Sequence, residues 1–109
     1  MTSAEQKAYW AAVDTPALLV DVDVLERNIA AMAAAFARSP AALRPHAKTH
    51  KSAAIARRQL AAGAIGITCA KVGEAEALVA AGLRDVLIAN QVVGRARSPG
   101  SWTSQPPRR

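Results

Sequence analysis

The apolar positions of this chain fall into short blocks whose period changes from one block to the next. Residues 17–22, apolar but for Asp21, predict a buried strand. Asp23 follows, with Glu26 three residues on, the spacing of a capping box. Leu25, Ile29, Met32 and Phe36 then recur at helical spacing, which predicts one apolar stripe on a helix reaching about Ala37. Ser39-Pro40 ends it. A second strand is expected over residues 42–47, and the helix after it is capped by Ser52 or Thr49 and stopped by Gly63. Residues 65–69 read as a third strand, 72–81 as a helix closed by Gly82, and 86–90 as a fourth strand. Residues 1–15 read as a lead-in closed by Pro16.

Strands and helices that alternate in this way predict an α/β fold with a parallel sheet. The sequences before the last two strands are alike, Gln59-Leu60-Ala61-Ala62-Gly63 and Leu78-Val79-Ala80-Ala81-Gly82, which suggests a repeated unit. A closed eight-fold barrel takes about 250 residues. At 109 residues the chain has length for about three βα units, so a partial TIM-type (β/α) barrel is the expected architecture. Beyond Gly94 the pattern stops. Residues 95–109 are rich in Arg, Pro, Ser and Gly and are expected to be a disordered basic tail, the product of a truncated or frame-shifted longer gene.

Composition changes this picture little. Hydrophobic residues make up 51% of the chain, but 27 of them are alanine, which suits helices laid closely on a sheet. The formal charge of +6 is concentrated at the end, because Arg95, Arg97, Arg108 and Arg109 face no acid there. A nucleic-acid surface would spread its charge over a folded face, so nucleic acid is not an expected partner. The single Cys69 excludes an intrachain disulfide and a multi-cysteine zinc site. No signal peptide and no run of the roughly 18–20 apolar residues of a membrane span is visible. A soluble cytoplasmic protein without a membrane partner is the expectation.

The candidate chemistry lies in Arg44-Pro45-His46-Ala47-Lys48-Thr49-His50-Lys51. Alternation puts Arg44, His46 and Lys48 on one face of the second strand. Lys48 then sits at the strand's C-terminal end, where parallel β/α folds place their sites. Repulsion from His46, His50 and Lys51, together with desolvation, is expected to favour the free amine, which could attack an aldehyde. The plain alternative is a solvated basic loop. On the next strand, Ile65, Ile67 and Cys69 are expected to pack under helices. Gly66, Thr68 and Ala70 face the other way and leave room beside Lys48 for a flat ligand. Lys71 ends that strand and could meet an anion or pair with Glu74 at i+3. His46 and His50 lack a third ligand for a metal site.

Four segments together carry a family resemblance. They are residues 14–21 (DTPALLVD), 43–51 (LRPHAKTHK), 66–75 (GITCAKVGEA) and 88–94 (IANQVVG). The chain resembles the N-terminal part of the D-threonine aldolase and D-serine dehydratase group, within the alanine-racemase-like (fold type III) pyridoxal-phosphate enzymes. The match runs over residues 14–94, and residues 16–94 are expected to form part of an alanine racemase N-terminal-like barrel domain.

The resemblance implies that Lys48 forms the internal aldimine with pyridoxal 5′-phosphate, with His46 and Thr68 beside the cofactor. It implies a lyase that breaks Cα–Cβ of β-hydroxy-D-amino acids to give glycine and an aldehyde. D-serine dehydratase, an alanine racemase-like enzyme and a non-catalytic pyridoxal-phosphate-binding protein remain alternatives, as does a basic interaction module. In such enzymes a divalent metal sits in a C-terminal β-rich domain, and the first strand belongs with that domain. The metal ligands and the phosphate-cradling loops lie beyond Gly94, so a metal is expected only in the full-length enzyme. That form is expected to be a homodimer, and this shorter chain alone is expected to be inactive.

Overall fold

A computed structural model describes residues 1–92; the expected tail, residues 95–109, lies outside the described residues. The elements run in the order α1 (Ser3–Ala11), α2 (Val22–Phe36), α3 (Ala53–Ala61), β1 (Ile67–Cys69), α4 (Val72–Ala80) and β2 (Val86–Ile88). β1 and β2 pair in parallel with Ile67 opposite Val86, Thr68 opposite Leu87 and Cys69 opposite Ile88. The helix between two parallel strands is the unit that the alternating pattern predicts.

Glycine ends two helices as expected. Gly63 and Gly82 have φ of +104° and +91°, a conformation that lets the chain leave a helix through the left-handed region. Ser52 rather than Thr49 caps α3, its hydroxyl accepting the Ile55 N–H. The core is small. Ala47, Ala56, Ile67, Cys69, Ala75, Leu78 and Leu83 form one buried cluster where α3 and α4 cover one face of the strands.

Residues 42–47 run beside β1 but form a single parallel bridge, His46 with Thr68, rather than a full strand. The reason lies in Pro45 and in a change of step. The Leu43 carbonyl accepts from Ile65 N–H and the Pro45 carbonyl from Thr68 N–H, so two residues on one side meet three on the other. Pro45 has no N–H to continue the ladder. The misfit falls around Gly66 and explains why Ile65 is exposed while Ile67 and Cys69 are buried.

The strand expected over residues 17–22 is not formed. Leu18, Leu19 and Val20 are 101%, 69% and 55% exposed, and Val22 already belongs to α2. An apolar run becomes a strand only when a neighbour takes its backbone groups and its side chains, and no described residue does so. The helix cap shifts accordingly. Asp21, not Asp23, caps α2 by accepting the Val24 N–H at 2.9 Å, and Glu26 pairs with Arg58 of α3 rather than closing a capping box. Within the lead-in, residues 3–11 form α1, with a capping box between Thr2 and Glu5.

Candidate functional site

Lys48 lies in a turn over residues 47–50 that joins the edge segment to α3. The turn is anchored at both ends. Ala47 is buried and its N–H donates to the Thr68 carbonyl at 2.8 Å. The Lys51 N–H closes back on the Ala47 carbonyl at 2.7 Å, with Lys51 itself at φ +48°. The Lys48 side chain is exposed, and no carboxylate pairs with it among the described residues. His46 is half-buried and its Nδ1 accepts the Lys48 N–H at 3.1 Å. Thr68, buried to 9% exposure, stands opposite His46 on the neighbouring strand. The three expected site residues therefore share one corner of the sheet, at the C-terminal end of the edge segment.

The expected cluster of cations around Lys48 is largely neutralised. Arg44 forms a bidentate pair with Asp85, Nη1 to Oδ1 at 2.7 Å and Nη2 to Oδ2 at 3.1 Å. Lys51 pairs with Glu74 at 3.8 Å. Desolvation holds the His50 imidazole below its ordinary range, against the opposing pull of Gln59 and Ser52. Of the neighbours of Lys48, Lys51 thus has a carboxylate partner and His50 favours its neutral form. Glu74 also accepts the Ala70 N–H at 2.9 Å, the first cause of its lowered pKa. Glu74 therefore takes Lys51 as its partner, and Lys71 has no ion pair among the described residues.

Gly66 does not leave room for a ligand. A Cβ built there would lie 2.7 Å from Arg44 Cζ and 2.8 Å from Asp85 Cγ. The space over this glycine is where the Arg44 guanidinium crosses the sheet to reach Asp85. Gly66→Ala is expected to dislodge the guanidinium and cost about 1 kcal/mol, the worth of a modest ion pair, since the clashing atoms are side-chain ends. In the Arg44→Ala background the same change should cost nearly nothing. Urea denaturation of the four chains of that cycle measures the coupling.

Cys69 is fully buried, and desolvation first, then the Glu74 charge, push its thiol up. It is the inert core thiol that the sequence suggests. A cleft of about 510 Å³ opens beyond the C-terminal ends of β1 and β2, lined by Lys71, Gly73, Glu76, Asn90 and Gln91 among others. Lys48, His46 and Thr68 are not among its lining residues. No group of three His, Cys, Asp or Glu suited to a metal occurs among the described residues. No described helix is long and apolar enough to cross a membrane.

His50 gives the fold a pH dependence with a definite sign. Its folded-state pKa lies below the ordinary 6.5, so the unfolded chain binds the proton more readily. Stability is full above that value, falls as pH drops through it, and levels off below the folded-state pKa. The urea midpoint should decrease as pH falls through the ordinary histidine range, and His50→Asn should flatten the decrease. Glu5 and Glu74, both lowered, act only at more acid pH, where carboxylates titrate.

Comparison with known proteins gives this corner its context. No family model matches the chain. D-threonine aldolase from Arthrobacter sp. is 55% identical over 87 residues, 80% of this chain. The solved structure of D-threonine aldolase from Filomicrobium marinum superposes with a TM-score of 0.75 at 55% identity, covering 78% of this chain and 23% of that one. This chain is a homologue of the D-threonine aldolase and D-threo-3-hydroxyaspartate dehydratase group. D-threo-3-hydroxyaspartate dehydratase from Delftia sp. HT23 is 48% identical over 77 residues, 71% of this chain. Its solved structure aligns with a TM-score of 0.68, covering 72% of this chain and 21% of that one. The chain spans 23% of the length of the Arthrobacter aldolase and 20% of that of the Delftia dehydratase. The mixed helix and strand order described above is thus that of a segment of the group's fold.

Proposed function

We propose that residues 16–94 form the lysine-bearing part of a pyridoxal-phosphate-dependent lyase that cleaves β-hydroxy-D-amino acids to glycine and an aldehyde. The observation that carries this reading is the 55% identity and 0.75 TM-score with D-threonine aldolases over most of the chain. In this reading the parallel strands and the edge segment belong to an incomplete β/α barrel.

The residues present fit the cofactor's aldehyde. Lys48 offers an exposed primary amine that no carboxylate holds among the described residues. Its unprotonated Nζ would bond the aldehyde carbon, the carbonyl oxygen leaving as water with the two amine protons. When bound, the pyridoxal ring supplies an electron sink for charge developing at the substrate's α-carbon. His46 accepts the Lys48 N–H and so orients the main chain that carries the amine. The Thr68 hydroxyl, on the row opposite His46, would serve as a donor to a polar atom of the cofactor. The full-length form would act as a cytoplasmic homodimer and would take its divalent metal from parts of the fold outside this chain.

Reductive trapping tests the reading. After incubation with pyridoxal 5′-phosphate and borohydride, peptide mapping should find the pyridoxyl group on Lys48 in preference to Lys7, Lys51 and Lys71. Even labelling of all four lysines would defeat it. The identity with the Delftia dehydratase supports a second reading, elimination of the β-hydroxyl. Glycine plus aldehyde against keto acid plus ammonia, measured on β-hydroxy-D-amino acids with the full-length form, separates the two.

A further inference from the structure

His50 is one residue of the basic run that the proposed function does not use. It is partly buried at the end of the Lys48 turn, and one of its ring nitrogens is hydrogen-bonded. Nδ1 accepts the Ser52 N–H at 3.0 Å. Nε2 is buried and lies outside ordinary hydrogen-bond geometry from any partner among the described residues, and so does the buried Oε1 of Gln59. Gln59 is nevertheless the side chain whose contact opposes loss of the His50 proton. Among the described residues, this buried donor and this buried acceptor have no other partner. An Nδ1 that accepts leaves the ring proton on Nε2, the tautomer that Gln59 Oε1 can receive.

His46 makes the same kind of link four residues earlier, with its Nδ1 accepting the N–H of the residue two positions on. Two imidazole-to-backbone turns therefore bracket Lys48, one at each end. The rear one matters more for rigidity, because Ser52 is also the cap of α3 and Lys51 adopts a left-handed conformation between them. A residue other than glycine at positive φ persists when its neighbours hold it there.

We propose that His50, as the neutral Nε2–H tautomer, is a positioning residue that locks the Lys48 turn onto the first turn of α3. Its consequence for the amine rests on the lysine role proposed above; the lock itself does not. Losing it leaves the Ser52 N–H without a protein acceptor, frees residues 48–51, and spreads the Lys48 amine over many orientations.

The test contrasts two substitutions in the full 109-residue chain. Asn carries an oxygen acceptor one bond from Cγ, where Nδ1 is. Gln carries its polar atoms one carbon farther out, nearer Nε2. His50→Asn should keep slow amide exchange at Ser52 and keep the preference of pyridoxal 5′-phosphate for Lys48 over Lys7 within about twofold of the parent. His50→Gln should speed Ser52 exchange and lower that preference about five- to tenfold, the worth of one hydrogen bond. Imidazole nitrogen-15 spectra of the parent should show Nδ1 of His50 unprotonated. A protonated Nδ1, or Gln performing as well as Asn, overturns the proposal. If both variants unfold, Gln59→Leu, which keeps the imidazole, should shift the tautomer signals of His50; unchanged signals count against the lock. If the parent shows no preference for Lys48 at all, the cofactor reading fails while Ser52 exchange and the tautomer still decide the lock.

Discussion

Replacing Lys48 with alanine is expected to abolish covalent capture of pyridoxal 5′-phosphate at the turn, leaving only slow, scattered labelling of the remaining lysines. The expectation follows from what surrounds each amine. Lys51 is held by Glu74 and Lys7 lies on the solvent-exposed α1. Lys71 stands at the N-cap of α4, beside the cleft rather than in the turn. Among the described residues, only Lys48 combines an exposed amine without a carboxylate partner with a backbone fixed at both ends of its turn. Lys48→Arg is the sharper control. It keeps the charge and much of the length, but a guanidinium does not release its proton and cannot serve as the nucleophile. Both variants should fold as the parent does, because the side chain is exposed. An undiminished adduct in Lys48→Arg would remove Lys48 from the proposed chemistry.

Ile67→Ala is expected to lose about 2–5 kcal/mol of folding stability, against about 0.5–1.5 kcal/mol for Ile67→Val. Ile67 is fully buried, and three of the seven residues in its cluster are alanines. Those alanines let helices and strands approach closely, but they bury little area each. Ile67, Leu78 and Leu83 carry most of what is left, so truncating one of them removes a large share of a small core. Small domains hold only about 5–15 kcal/mol in total, so the alanine variant should unfold over much of the accessible temperature range. Far-ultraviolet circular dichroism against urea reads both changes. An alanine variant as stable as the valine variant would show that Ile67 is not the centre of the core.

The elements that were legible in the sequence are those fixed by neighbours close in the chain. α3, α4 and β2 follow from apolar spacing and from glycines that stop helices at positions 63 and 82. The corner that holds Lys48, His46 and Thr68 follows from alternation along one edge segment and its neighbour. What was not legible depends on partners far along the chain. The Arg44 pair with Asp85 spans 41 residues, and nothing local in either sequence announces it. The role of Gly66 follows only from that pair. The failed strand at residues 17–22 is the reverse case, a strong local signal with no distant partner among the described residues to complete it. α1 was missed because its sequence has no apolar face for a pattern to reveal, and none of its residues is buried. Its Thr2–Glu5 capping box was a signal that could have found it.

The uncovered stretch at residues 17–20 also governs how this chain should fare in a cell. A short, exposed, uncharged run outside regular secondary structure is what holdase chaperones grip and what proteases enter. Its lifetime and working concentration should therefore depend on quality control as well as on the stability of its core.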